Sequence, residues 1–221
     1  MQKEKLAQYI EHTALKANTK FADIQKLCNE ATEYQFAVAV VPPYNVAQAH
    51  LLLQNSPVRL ASVTGFPFGY HTAEVKTAEA KFALDAGAQD IDMVVNIGAI
   101  LDENWAVVEN ELYLLKHICD KHQAQSKLIF ETAYLNEMQI LKLCKLVASI
   151  GINYAKTSTG FAPEGATLEV VKLMRANLPE SVKIKASGGI RTLTQAIDFI
   201  QAGADRLGTS SGISIIESLK D

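Results

Sequence analysis

The feature that most constrains this chain is an alternation: short runs rich in β-branched residues are followed by longer amphipathic stretches from one end to the other. The β-type runs are 9–13, 36–41, 59–64, 90–95, 127–132, 153–157, 182–186 and 205–208. Between them, apolar residues step by three or four. The clearest stripe is Trp105, Val108, Leu112, Leu115 and Cys119. Phe21, Ile24, Cys28 and Ala31 form another, Val75, Ala78 and Phe82 a third, Ile140, Leu143, Cys144 and Val147 a fourth, and Leu193, Ala196, Ile197 and Ile200 a fifth. Repeated strand-helix units leave two architectures, a closed (β/α)8 barrel or an open doubly wound sheet. An open nucleotide-binding sheet carries a GxGxxG turn after its first strand. Here the glycine-rich turns follow the seventh and eighth strands, where barrels commonly hold phosphate. The reading is an α/β fold, a single (β/α)8 TIM barrel occupying residues 1–221 as one domain.

Local signals support the order of elements. Three helices end at Ala86-Gly87-Ala88, Ile150-Gly151-Ile152 and Ala202-Gly203-Ala204, where glycine closes a helix just before a strand. Thr192 with Gln195 forms a capping box for the helix after the seventh strand. Asp102 and Asn136 are expected to cap the helices after the fourth and fifth strands.

Charge and cysteine content narrow the function class. With 21 basic and 24 acidic side chains the formal net charge is -3, so no broad positive field draws the chain onto nucleic acid or an anionic membrane. Cys28, Cys119 and Cys144 lie far apart without a CxxC pair, which reads as three free thiols in a reducing, cytoplasmic setting. All three fall on apolar stripes and read as core residues. No leader peptide and no membrane-spanning stretch is expected.

The chemistry concentrates at the C-terminal ends of the later runs. Lys156-Thr-Ser-Thr-Gly160-Phe161, Lys185-Ala-Ser187-Gly188-Gly189-Ile-Arg191-Thr192 and Gly208-Thr-Ser210-Ser211-Gly212 each close a strand. Gly188 and Gly189 let backbone approach an anion, the helix near Thr192 offers unpaired N–H groups, and Ser210 and Ser211 add donors. Together they describe a site for one phosphate monoester. Lys156 and Lys185 lie on consecutive strands. Two ammonium groups held close in a desolvated pocket oppose each other's protonation, so one becomes a nucleophilic amine able to form a Schiff base. In the run 90–96, period-two alternation puts Asp92, Val94 and Asn96 on one face and Ile91, Met93 and Val95 on the other. If the first face is the barrel interior, Asp92 needs a cation, and the two lysines are the candidates. Asp90 is read as starting its strand at the solvated end, and Lys183 as a surface or lower-layer residue. His12 ends the first strand and can line the mouth. No histidine spacing indicates a metal site, so no metal or other cofactor is expected. Ser187, Ser210 and Ser211 lack a GxSxG elbow, which argues against a serine hydrolase.

Taken in order, Glu11-His-Thr-Ala-Leu-Lys16, Gly65-Phe-Pro-Phe-Gly69, Asp92-Met-Val-Val-Asn-Ile-Gly98 and the three late motifs closely resemble the deoxyribose-phosphate aldolase family, nearly end to end. The resemblance implies a class I, metal-independent carbon-carbon lyase of deoxyribonucleoside catabolism. It cleaves 2-deoxy-D-ribose 5-phosphate reversibly to acetaldehyde and D-glyceraldehyde 3-phosphate. It further implies that Lys156 is the Schiff-base lysine, that Lys185 lowers its pKa and handles protons, and that Asp92 is proton donor and acceptor. Thr159, Gly160, Gly188, Gly189, Ser210 and Ser211 then hold the substrate phosphate.

Four departures from the family pattern stand out. Glu11 replaces the usual Asp, Val40-Val41-Pro42-Pro43 replaces a usual Val-Asn-Pro, and Phe161 stands where some members have Lys. The sequence ends at Asp221 without the terminal Tyr tail of some members, which is expected to slow proton transfer. Two alternatives stay open at this point. One is a related barrel lyase or isomerase acting on another sugar phosphate; the other is a barrel that only binds a sugar phosphate. Surplus apolar helix faces would allow a homodimer.

Overall fold

A computed structural model describes residues 1–219. The expectation about a terminal tail falls at residues 220–221 and beyond, outside the described residues. Eight parallel strands close on themselves in chain order: β1 (Ile10–Thr13), β2 (Val38–Val41), β3 (Arg59–Thr64), β4 (Asp90–Val94), β5 (Gln125–Ile129), β6 (Tyr154–Lys156), β7 (Lys183–Ser187) and β8 (Arg206–Thr209). Around them lie α1 (Lys3–Ala7), α2 (Phe21–Glu33), α3 (Val46–Leu53), α4 (Ala73–Asp85), α5 (Ile97–Leu101), α6 (Trp105–Lys121), α7 (Glu137–Ile150), α8 (Leu168–Asn177), α9 (Leu193–Gln201) and α10 (Gly212–Glu217). This is the (β/α)8 TIM barrel that the alternation implies. Among the described residues no helix is long and apolar enough to cross a membrane.

Side-chain alternation assigns the two faces of each strand. On β4 and just beyond it, Ile91, Met93 and Val95 join the hydrophobic layer between barrel and helices, while Asp92 meets the lysines of the barrel interior. The stripes on α6 and α7 bury as their spacing implies, and Cys28, Cys119 and Cys144 are all buried free thiols. Burial pushes the thiols up, Cys28 to about 11 and the other two to about 12, so they stay protonated and inert. Thr192 and Asn136 each head a complete capping box, with Gln195 and Gln139. The three helix-closing glycines all take positive φ.

Some expectations are corrected. The Val75, Ala78 and Phe82 face of α4 points to solvent, with Phe82 74% exposed, and the inward face is Lys76, Ala80, Ala83 and Leu84. A lysine disguises that inner face. Lys76 is buried because its Nζ reaches Glu111 Oε2 of α6 at 2.6 Å and the Val94 carbonyl at 2.8 Å. Phe21 at the start of its stripe is also exposed. Asp102 does not cap α6: the short α5, capped by Asn96, intervenes, Asp102 closes it, and α6 begins after Asn104. Strand β5 starts and stops two to three residues earlier than the run 127–132, because Glu131 turns into the left-handed region at φ 55°. Asp90 is not solvated. It is buried, with Oδ2 at 2.7 Å from Lys127 Nζ and Oδ1 at 2.9 Å from Arg59 Nε.

Candidate active site

The registers of β4 to β7 bring the interior charges together. Asp92 pairs across with Lys127, and Lys156 with Lys185. Neighbouring strands lie roughly 4.8 Å apart, so residues in register on one face become contacts. Lys156 Nζ lies 2.8 Å from Asp92 Oδ2, and Lys185 Nζ lies 2.6 Å from the same oxygen. Lys185 also donates to Glu11 Oε2. Lys127 Nζ stands 3.2 Å from that Glu11 oxygen and 3.3 Å from Asp92 Oδ1. Three lysines and the carboxylates of Glu11, Asp90 and Asp92 thus form one buried network.

Its electrostatics follow from burial and partner choice. For Asp92, desolvation would raise the carboxyl's pKa, but Lys127, Lys156 and Lys185 outweigh it and hold the group well below the usual range. Lys127 faces Asp90, Asp92 and Glu11, which overcome its desolvation and hold it well above an ordinary lysine. Lys156 is pushed down to about 8, first by desolvation and further by Lys185, while Asp92 pulls the other way. Of the three expected catalytic residues, Lys156 lines a cavity of about 1000 Å³ at the C-terminal mouth of the barrel. Asp92 and Lys185 lie fully covered beneath it.

The same cavity is lined by Thr159, Gly160, Gly188, Gly189, Ser210 and Ser211, all six expected phosphate ligands. Gly188 and Gly189 take φ of +89° and +81°, and among the described residues their N–H groups find no acceptor. A Cβ at Gly189 would meet nothing within 4 Å, so its glycine is required by conformation and not by crowding. The N-terminus of α9 differs from expectation, since the Arg191 and Thr192 N–H groups already donate to Gln195 Oε1. Thr159 is likewise committed: its N–H and hydroxyl both donate to the Glu131 carboxylate, and its oxygen accepts from the Phe161 N–H at 3.0 Å. It shapes the turn and has no O–H left for an anion.

His12 lines the cavity and meets Glu30 at 2.9 Å. Phe161 lines it too, edge-on to Phe66 with centroids 5.4 Å apart. Glu11 belongs to the buried network and not to the cavity lining, and the 40–43 segment contributes nothing to that lining. Sequence reasoning missed Lys127, Glu131 and Gly165. Lys127 carried a readable signal, a charge inside a β-type run like Asp92. Glu131 carried none, because a left-handed residue without glycine leaves no mark. Gly165 allows close approach of two loops: a Cβ there would lie 2.2 Å from the Gly188 carbonyl oxygen.

Comparison with known proteins agrees with this arrangement. The model of the DeoC/LacD family aldolases matches residues 5–218. Deoxyribose-phosphate aldolase of Thermococcus kodakarensis is 45% identical over 223 residues, covering 100% of both chains. That of Caldicellulosiruptor saccharolyticus is also 45% identical, over 98% of this chain and 99% of the relative. Among solved structures, the deoxyribose phosphate aldolase of Aeropyrum pernix, described as a unique tetramer, superposes with a TM-score of 0.92 at 32% identity. It covers 98% of this chain and 92% of that one. A match of this extent, over a barrel whose interior is organised around paired lysines, means that the chain belongs to the DeoC/LacD family of aldolases.

Proposed function

We propose that this chain is a deoxyribose-phosphate aldolase, cleaving 2-deoxy-D-ribose 5-phosphate reversibly to D-glyceraldehyde 3-phosphate and acetaldehyde through a Schiff base on Lys156. The observation that carries the reading is Lys156 itself. It is a lysine at the cavity floor, 3% exposed, held down to about 8 and within hydrogen-bond reach of a buried carboxylate. Its neutral amine adds to the sugar's C1 aldehyde, and loss of water gives a protonated imine that serves as electron sink. Removal of the C3 hydroxyl proton then breaks the C2–C3 bond, releasing glyceraldehyde 3-phosphate and leaving an enamine. Protonation at C2 and hydrolysis return acetaldehyde and the free amine. Asp92 is the proton reservoir, and because it is fully covered it acts through Lys185 or a bridging water.

The phosphate end is assigned to the Gly160, Gly188 and Gly189 turns with Ser210 and Ser211, and Thr159 holds the first turn in shape. This remote binding fixes the scissile bond over Lys156. A protein that only binds sugar phosphate gains nothing from a desolvated amine, so the binding-only alternative is not favoured. Residues 1–221 are taken as one barrel domain without metal or organic cofactor, working in the cytoplasm, where three free thiols persist. Self-association as a homodimer is supported by the apolar residues exposed on neighbouring helices, Leu51 of α3, Val75 and Phe82 of α4 and Tyr113 of α6. Neither nucleic acid nor membrane is a proposed partner.

The deciding experiment is mass spectrometry after incubation with 2-deoxyribose 5-phosphate and borohydride, in wild type, Lys156→Ala and Lys185→Ala. A reduced adduct mapping to Lys156 and lost in Lys156→Ala is expected. Wild type that binds the sugar phosphate saturably yet yields no adduct would overturn the aldolase reading.

A further inference from the structure

At the end of the barrel opposite the cavity, the first residues of β2 to β8 surround a second concavity of about 220 Å³. Its charged and polar lining is Arg59, Asp90, Gln125, Tyr154, Lys183 and Arg206. Three cations face one carboxylate. That carboxylate is already committed, Asp90 Oδ1 to Arg59 and Oδ2 to Lys127. Lys183 and Arg206 have no carboxylate partner among the described residues. Lys183 Nζ stands 5.7 Å from the Tyr154 ring centroid, and Arg206 donates to the Asp205 carbonyl.

The lower end of a barrel ordinarily serves stability. Stability accounts for Arg59 and Asp90, which neutralise one another, but not for two further cations gathered in the same small space. Like charges in a concavity with low-dielectric walls repel, and the field they focus favours an anion. Guanidinium forks suit phosphate oxygens, and an ammonium and the Gln125 amide add further donors. A doubly charged tetrahedral anion matches both the charge surplus and the volume.

We propose that the lower concavity is a phosphate-binding site, separate from the catalytic cavity and gripped chiefly by Lys183 and Arg206. Its ligand is inorganic phosphate or the phosphate end of a small monoester. The inference does not depend on the aldolase reading: Arg206 is in register with Lys185 through the backbone, but the side-chain contacts of Lys183 and Arg206 go to Tyr154 and Asp205 and not to Lys156, Asp92 or Lys185.

Residue-resolved amide spectra of the full chain, titrated with phosphate at constant ionic strength, test the proposal. Two separate groups of amides are expected to move: Gln125, Lys183 and Arg206 at the lower end, and Gly188 and Gly189 at the mouth. Titration to about 10 mM fills nine-tenths of a site of about millimolar affinity. The Lys183→Ala/Arg206→Gln variant is expected to weaken the lower-end response at least about tenfold, equivalent to about 1.4 kcal/mol. Cleavage activity and the mouth response stay unchanged. Glycerol 3-phosphate moving the same lower amides assigns a monoester, whereas movement with inorganic phosphate alone assigns the free ion. Lower-end amides that stay still, or that move equally with chloride, overturn the proposal. A silent mouth with a responsive lower end would instead count against the phosphate turns and leave this site standing.

Discussion

Lys156 and Lys185 share one acceptor: Asp92 Oδ2 takes Lys156 Nζ at 2.8 Å and Lys185 Nζ at 2.6 Å, with all three side chains buried. The nucleophile's charge is therefore set by a cation and an anion acting on it in opposite directions.

That opposition gives a signed pH prediction. Trapping of substrate by borohydride rises with pH as Lys156 loses its proton near 8. Asp92→Asn removes the charge that raises the Lys156 value, so the profile moves to lower pH. Lys185→Met removes a charge that lowers it, so the profile moves to higher pH. Stability carries the same sign. The folded value lies below the ordinary lysine value of about 10.4, so the unfolded chain binds more protons between about 8 and 10.4. The cost of burying this group is therefore full below that window and falls as pH rises through it. Profiles that coincide in all three proteins would refute the coupling.

Lys127→Met should be the most damaging single change in the interior. It removes the cation within 3.3 Å of Asp90, Asp92 and Glu11 and leaves buried carboxylates uncompensated. The expected loss is about 3–5 kcal/mol in urea unfolding at neutral pH. Acid sensitivity follows in sign. Asp92's lowered pKa contributes stability that is present above about 3.9 and lost as pH falls through the folded value. Without Lys127 that folded value rises, so acid unfolding by circular dichroism begins at higher pH.

Glu131 holds the turn after Lys156 by accepting both donors of Thr159. Its buried carboxyl is raised in pKa by desolvation, against the pull of Thr159 and Lys156. Glu131→Ala is expected to raise KM for 2-deoxyribose 5-phosphate by about tenfold, the loss of one or two hydrogen bonds to a charged group. Unphosphorylated 2-deoxyribose should be cleaved as before, and Glu131→Gln should recover part of the KM. Equal losses on both sugars would mean that the residue serves only folding.

Gly165→Ala forces a Cβ to within 2.2 Å of the Gly188 carbonyl, so the loop after β6 or the turn after β7 must shift. Inhibition by inorganic phosphate should weaken by about tenfold, with Lys156 still trapped by acetaldehyde and borohydride. Unchanged phosphate inhibition would show that the two loops move without disturbing the anion site.

Phe82 is 74% exposed on α4. Phe82→Glu should halve the mass seen by light scattering if this face joins two copies, while a mass that does not change would direct attention to other apolar faces.

The chain itself specified a good deal of this. Alternation of β-type and helical runs narrowed the fold to a barrel or an open parallel sheet, because each period dictates which face can bury and each unit returns the chain to the same end of the sheet, and the late glycine-rich turns chose the barrel. Lys156, Lys185 and Asp92 were legible because charges inside apolar runs need partners. Folding settled what depends on contacts between distant strands. The register that sets Asp92 beside Lys127, the left-handed turn that aims Glu131 at Thr159, and the approach of Gly165 to Gly188 join segments with no local signal for one another. The apolar face of α4 was misread for the same reason. Period alone cannot say which of two faces meets the barrel when a buried lysine finds its carboxylate on another helix.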